Sequence, residues 1–236
     1  MSSCSKRAMC HALERDSDTI LMLHCRIDHI VITASSLADG EEYVRQTLGV
    51  APQVGGEHQR MGTHNVLLRL GEEMYLEVVA VNPNGAQPRR PRWFEVDQHG
   101  ASTTPGLATW VARTSDIQGS VLSASVPLGD IEPMNRGQFN WLITIPADGS
   151  LPLQGIAPVL IQWLSESHPA TSLQDLGCSL VRLEGFHTEA ERIVRMLQSI
   201  GFEGDFSVSP LSTQMQPYLV AHIRTPCGER QLRTSP

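Results

Sequence analysis

Ile27-Asp28-His29-Ile30-Val31-Ile32-Thr33 and Met74-Tyr75-Leu76-Glu77-Val78-Val79-Ala80 are two short β-like stretches, each carrying one metal-capable side chain on an otherwise apolar face. Alternate residues of an extended strand share a face, so His29 is expected to point with Ile27 and Val31, and Glu77 with Tyr75, Val79 and Val81. Both polar groups then look inward. A carboxylate facing an apolar interior is costly unless it is paired, hydrogen-bonded or bound to a metal, so Glu77 calls for a partner. Taken singly, His29 reads as a satisfied core histidine and Glu77 as the partner of an arginine such as Arg69 or Arg113. Taken together, on two strands of one small unit, they are suitable donors for Zn, Mn, Fe, Ni or Co.

Working outward, Ser35 to Asp39 offers cap and turn chemistry, and Glu41 to Leu48 reads as a helix closed by Gly49. Strands are expected over Val50 to Glu57, His64 to Leu70 and Met74 to Val81, completing a βαβββ unit over 26–82. Residues 83–106 are rich in Pro and Gly and read as a connector. The pattern then returns over 107–165: a strand from Leu107 to Arg113, a helix from Ser115 to Ala124, and strands over Ile131 to Asn135, Phe139 to Ile145 and Pro158 to Leu164. Two such units pack as a pair when neither closes a core alone. A third, partial βα repeat is expected over 177–225, with a strand from Cys178 to Leu183, a helix from His187 to Ser199 and a return strand from Pro217 to Arg224. Thr188 is placed to cap that helix, so His187 needs no catalytic role. Residues 226–236 read as a polar tail, and 1–25 as an N-terminal extension, with Met22 an alternative translation start.

The chain has 236 residues, 41% of them hydrophobic and 18% charged, enough for a full core. Its formal net charge of -7 and the lack of a Lys/Arg run argue against nucleic acid as a partner. The brief cluster Arg89-Arg90-Pro91-Arg92 is proline-broken and reads as a solvated connector. Five scattered cysteines without CxxC spacing support neither a disulfide framework nor a zinc knuckle. The N-terminal charges interrupt any signal-peptide core, and no apolar run is long enough to span a membrane, so a cytoplasmic location is the expectation. Dinucleotide, Walker, nucleophile-elbow and HExxH motifs are absent.

Asp28-His29-Ile30-Val31-Ile32, Leu48-Gly49-Val50, Gly62-Thr63-His64-Asn65, Leu67-Leu68-Arg69-Leu70-Gly71 and Tyr75-Leu76-Glu77-Val78 together resemble the vicinal oxygen chelate superfamily, specifically its glyoxalase-like domain proteins. Ala108-Thr109-Trp110-Val111-Ala112-Arg113-Thr114 and Leu160-Ile161-Gln162-Trp163 extend the resemblance through the second unit. It implies an α+β fold of paired βαβββ modules whose curved sheets form a cup, with the modules paired within one chain or across a homodimer. It also implies a divalent metal held by the first and fourth strands of each module. The matching positions are His29 and Glu77, then Thr109 and Gln162. Thr109 is a poor metal ligand and Gln162 a neutral one, so the second half of the set is degraded. His64 is the natural supplementary ligand, and His58 a weaker one. The resemblance implies a glyoxalase-like metalloenzyme, a lyase, isomerase or dioxygenase, acting on a small oxygenated substrate. Glu77 would be its only base and also a ligand, while Asn65, Trp141, Arg113 and Thr109 would contact the substrate. Trp110 and Trp163 are further wall candidates, although alternation turns some of the tryptophans outward. The alternative is a small-molecule binding protein of the same fold with a degraded metal site.

Overall fold

The computed structural model describes residues 23–98, 100 and 103–235; the expected N-terminal extension and the Met22 start lie outside the described residues. The first unit runs β1 (Cys25–Thr33), α1 (Leu37–Leu48), β2 (Gln53–His58), β3 (Thr63–Gly71) and β4 (Met74–Val81). The second runs β5 (Gly106–Thr114), α2 (Ile117–Ser123), β6 (Asp130–Arg136), β7 (Phe139–Ile145) and β8 (Val159–Trp163). Their strands form one eight-stranded sheet in the order β2-β3-β4-β1-β5-β8-β7-β6. Each first strand lies parallel to its fourth, and β1 and β5 pair antiparallel at the centre. The two units are therefore paired within one chain.

The alternation that made the strands legible divides the interior into two cores. Ile30, Ile32, Leu76, Val78, Trp110 and Leu160 face the convex side and pack under the helices. Val31, Val79, Val111, Ile143, Val159 and Ile161 face the concave side. Helix α1 begins at Ser36, whose hydroxyl accepts from the Asp39 N–H at 3.1 Å. Gly40 lets the helix approach the sheet, because a Cβ there would collide with the Val78 side chain. The sheet curls until its edges approach one another: Arg60, just after β2, pairs with Glu132 of β6 and donates to the Pro133 carbonyl at 2.7 Å.

A third unit, β9 (Ser179–His187), α3 (Ala190–Ser199), β10 (Phe206–Pro210), β11 (Tyr218–Thr225) and β12 (Gly228–Arg233), repeats the element order but not the pairing. Its strands are ordered β10-β9-β11-β12, with β9 and β10 parallel across α3. Two expectations change here. Residues expected as a polar tail contain β12, which pairs with β11 and buries Leu232 in the convex core; one inward residue among charged neighbours leaves little periodic signal. Strand β9 also continues through His187, whose Nδ1, rather than the Thr188 hydroxyl, accepts the Glu189 N–H at 2.9 Å. Trp110 anchors this unit: fully buried, it packs against Phe202 and Phe206 with ring centroids 5.1 and 4.6 Å away.

The 83–106 connector is not solvated throughout. Arg90 binds Glu132 and the carbonyls of Ile145 and Pro146, and buried Arg92 binds Asp97 at 2.6 Å. These bonds lay the 3-10 segment Trp93–Gln98 beside the cup, where Trp93, Phe94 and Val96 join the concave core. No helix among the described residues is long and apolar enough to cross a membrane.

Candidate functional site

The site grows from an irregularity in β1. Ile27 lies opposite Ala112 and His29 opposite Val111 on β5, so Asp28 is an extra residue in the ladder. This bulge reverses the expected alternation at one position. Ile27 packs in the convex core, while His29 keeps company with Val31 on the concave side. It also lets the fully buried Asp28 carboxylate reach the ring of its own neighbour, with His29 Nδ1 2.6 Å from Asp28 Oδ1.

Asp28 is held on several sides. Trp163 Nε1 donates to its Oδ2 at 2.9 Å, His168 Nε2 lies 3.0 Å from the same oxygen, and the Arg113 guanidinium is 4.0 Å away. The Ala170 N–H donates to His168 Nδ1, so the proton of that ring sits on Nε2 and points at Asp28. Burial would raise the Asp28 carboxyl, but the His168 and His29 hydrogen bonds outweigh it and hold it well below the usual carboxylate range. Burial also disfavours charge on His29, yet its contacts with Asp28 and Glu77 prevail and raise it.

Glu77, on β4, is answered by neither Arg69 nor Arg113. Arg69 donates to the Gly71 carbonyl and Arg113 pairs with Glu73 at 3.0 Å. The partners of Glu77 are Asn65 Nδ2 at 2.6 Å, His29 Nε2 at 3.5 Å and His58 Nε2 at 3.8 Å. Burial pushes its carboxyl up, but the hydrogen bond and charge of His29, the neighbouring His58 imidazole and the Asn65 hydrogen bond more than reverse this and bring it down to about 2.

The backbone settles which way these groups face. The Gly56 N–H donates to Asn65 Oδ1 at 2.9 Å, which turns the Asn65 amide nitrogen toward Glu77 and toward His58 Nε2, 3.5 Å away. A nitrogen that faces a donor presents a lone pair, so the His58 proton belongs on Nδ1, which meets the Thr63 hydroxyl at 3.1 Å. Burial lowers His58 to about 4, keeping it neutral. A Cβ at Gly55 would overlap the Asn65 amide oxygen, so the paired glycines of β2 make room for this arrangement.

His29, His58, Tyr75 and Glu77 thus line one side of a partly open cavity of about 20 Å³, room for roughly one water-sized body. Trp93, Phe94, Arg136, Trp141, Ile143, Ile161 and Trp163 complete the wall. Tyr75 stacks on the His29 ring at 4.4 Å.

The other expected site residues are placed differently. Gln162 is on the convex side, where its Oε1 accepts from the Ile117 N–H at the start of α2 at 3.0 Å. Its neighbours Ile161 and Trp163 face the cavity, so the expected register is off by one residue. His64 alternates away from Asn65 and lies opposite Glu57 on β2, half-buried and outside the cavity. Thr109 is fully buried, but its hydroxyl donates to the Gly155 carbonyl at 3.2 Å. Arg113 lies beyond Asp28 rather than in the cavity wall. Trp141 does line it. Trp110, as noted, serves the opposite face.

Among the residues sequence reasoning passed over, Asp28 carried a signal: a second charged side chain within an apolar strand, adjacent to His29. His168 lies outside the strands, and nothing local marks it. Trp93, Phe94 and Arg136 join the cavity through the connector and the far edge of the sheet, which no strand pattern links to His29.

Among the described residues, no group of three or more His, Cys, Asp or Glu side chains is arranged to hold a metal ion. The donor types are nevertheless those of a metal centre. The 3.5 Å between His29 Nε2 and Glu77 Oε2 matches two ligands sharing a tetrahedral ion with bonds of about 2.0–2.1 Å. His29 also carries the carboxylate partner on its other nitrogen that commonly orients a ligating imidazole.

Solved structures resemble this fold at low sequence identity. A hypothetical protein from Staphylococcus aureus superposes with a TM-score of 0.51 at 15% identity, over 89% of this chain and 84% of its own. A variant of 4-hydroxymandelate synthase from Streptomyces coelicolor gives 0.46 at 12% identity, over 90% of this chain and 63% of its own. A methylmalonyl-CoA epimerase variant from the same organism gives 0.38 at 18% identity, over 61% of this chain and 99% of its own. No curated protein sequence matches the chain. The profile of the family described as "Glyoxalase-like domain" matches residues 27–201, which span both units of the cup and reach the end of α3. With residues 27–201 matched, the chain belongs to the glyoxalase-like domain family.

Proposed function

We propose that the protein is a glyoxalase-like metalloenzyme acting on a small oxygenated substrate in the cup, with His29, Glu77 and His58 as the donors for a divalent metal. The observation that carries this reading is the aim of the imidazoles. Asp28 holds the His29 ring through Nδ1, and Thr63 and Asn65 orient His58 so that its Nε2, met by the Asn65 amide at 3.5 Å, lies 3.8 Å from Glu77. Both Nε2 atoms thus converge on one carboxylate in a cavity walled by aromatic rings. A bound divalent ion would polarise substrate oxygens and lower the barrier to forming an oxyanion beside it.

The chain's own residues supply the rest. His58, its Nε2 lone pair given to the metal, adds no base, so Glu77 with its second carboxylate oxygen is the proton acceptor. Trp93, Phe94, Trp141 and Trp163 exclude water and strengthen every polar contact within. In place of Gln162 and His64, this reading takes its third donor from His58.

Metal analysis of protein purified without chelator tests the reading. Near-stoichiometric transition metal is expected in the wild type, in Gln162→Ala and in His64→Ala. His29→Ala and Glu77→Gln should lose it while remaining folded by circular dichroism. Metal-free wild-type protein would refute the proposal. One observation favours the alternative, a ligand-binding protein without turnover: Asn65 and His29 already engage Glu77, and no three-donor set is preassembled. Metal-free protein whose Tm rises with one small molecule would support it.

A further inference from the structure

The cup as it stands is too small for a substrate. Its cavity of about 20 Å³ admits roughly one water, whereas pockets that take small molecules hold roughly 300–1,000 Å³, so a wall must move before a ligand enters. Nine of the eleven lining residues stand on strands of the eight-stranded sheet, held in its ladders. Trp93 and Phe94 are the exceptions. They come from the connector, and each is 3% exposed, plugging the cup from outside the sheet.

The segment that carries this plug is unfavourably held. Phe94 and Glu95 have φ of 56° and 55°, two of the four non-glycine residues with positive φ among those described. An L side chain crowds the backbone in that region, most of all a bulky one such as Phe. Three of the four buried side-chain polar atoms without a hydrogen-bond partner among the described residues also belong here: Arg90 Nε, Arg92 Nε and Trp93 Nε1. Left-handed backbone and unmade hydrogen bonds oppose closure, while burial of two aromatic rings favours it. That balance is what a moving part requires, and it falls on the one wall that no ladder holds.

The attachments of the segment fit such a part. Arg90 fixes one end, bonding Glu132 and the carbonyls of Ile145 and Pro146. Arg92 is tied within the segment, its N–H and guanidinium to Asp97 and its Nη2 to Gln87, which makes residues 92–97 a unit. Two long hydrogen bonds latch that unit to the facing loop: the Glu95 N–H donates to the Gly149 carbonyl at 3.2 Å, and the Leu151 N–H to Glu95 Oε1 at 3.4 Å. Gly149 lies so close to the unit that a Cβ there would collide with the Arg92 carbonyl oxygen.

We propose that residues 92–98 are a lid that swings away from the sheet to open the cup, with Arg90 as its fixed end and the contacts of Glu95 with Gly149 and Leu151 as its latch. Its purpose, to admit a ligand and then exclude water, rests on reading the cup as the ligand site.

Labelling of an Ile143→Cys variant with N-ethylmaleimide tests this. Ile143 is on the sheet wall of the cavity and 2% exposed, and the reagent is too large for the closed cup. Cys25, 1% exposed in the convex core, reports global unfolding in the same molecule. Peptide mass spectrometry should find the introduced thiol modified at least tenfold faster than Cys25. In that background Gly149→Ala, which collides with the lid, and Glu95→Ala, which removes the latch carboxylate, should each raise the ratio of the two rates at least threefold. Glu95→Gly lacks the same carboxylate but suits the left-handed backbone, so its ratio should be three- to tenfold below that of Glu95→Ala. Equal rates for the two thiols, or a ratio that none of these substitutions moves, would overturn the lid. Metal content of the same samples separates the two ideas. Metal-free protein with the expected ratios refutes the metal centre and keeps the lid; metal-loaded protein whose two thiols react alike does the reverse.

Discussion

The first and second units of the eight-stranded sheet have the same strand order but present different side chains to the cup. From the first come His29, His58, Asn65, Tyr75 and Glu77; from the second come the apolar Val111, Trp141, Ile143, Ile161 and Trp163 and a single charged residue, Arg136 at the edge. The comparison separates what a curved sheet needs from what a site needs. An apolar residue at every second position is enough to bury the second half. Each polar residue of the first half requires an arrangement around it: the bulge and four partners for Asp28, the Gly55-Gly56 pair for Asn65, and the Thr63 hydroxyl for His58. The chemistry is thus an addition to the fold that brings its own compensating groups, and its imidazoles and carboxylates come from the first unit of the pseudo-symmetric pair.

The largest effect should come from removing the centre of that polar arrangement. Asp28→Ala strips His29, His168, Trp163 and Arg113 of their shared acceptor, and breaking a buried pair in this way costs about 3–5 kcal/mol. Ile161→Val, which removes one methylene from the apolar half, should cost about 0.5–1.5 kcal/mol. Urea denaturation of both variants checks the contrast, and equal losses would show that the two halves are held together alike.

Acid should also act on the first half before the second. In metal-free protein, His58 is lowered from 6.5 to about 4, so the unfolded chain binds the extra proton between those values, and stability falls as pH drops from about 6.5 to 4. Glu77, lowered from 4.5 to about 2, and Asp28, also lowered, contribute stability that is present above their unfolded values and lost as pH falls further. His29 is raised, so its contribution is complete below 6.5 and is lost as pH rises through its folded value. Thermal melts from pH 7.5 to 3 should therefore show Tm declining from about pH 6.5 downward. His58→Phe should flatten that first limb; an unchanged profile would remove His58 from the account.

The smallest effects belong to two residues that share donor chemistry with the site but face elsewhere. Gln162→Ala loses one hydrogen bond at the start of α2, worth about 1 kcal/mol, and His64→Ala should change stability by less than about 0.5 kcal/mol. Differential scanning calorimetry resolves both. A loss above 2 kcal/mol in either would mean that the outer face carries more of the structure than its contacts indicate.

The strand and helix alternation was legible because hydrophobic burial acts on every second or every third to fourth residue, a periodicity written into the chain itself. It placed β1, β4, β7 and the paired βαβββ order, and it put Glu77 and Trp141 on the inner face. It misplaced Gln162 because strict alternation continued from an assumed register cannot reveal which side a strand's even positions face. It preferred His64 to His58 because it took the third strand to open at His64, whereas the strand begins at Thr63 and its inward members are Thr63 and Asn65. The pairing pattern of the third unit was equally hidden, since several pairings satisfy one element order.

What the amino-acid sequence determined by itself was the class of the fold and the presence of an imidazole and a carboxylate on neighbouring inner faces, because both follow from local periodicity and residue type. What only the tertiary structure decided was the company they keep: Asp28 brought inward by a one-residue bulge, His58 turned by an amide that a glycine N–H holds, and Trp93 and Arg136 carried in from distant segments. Side-chain direction and partner identity depend on register and on contacts between residues far apart in the chain, and those distances exist only once the sheet has closed into its cup.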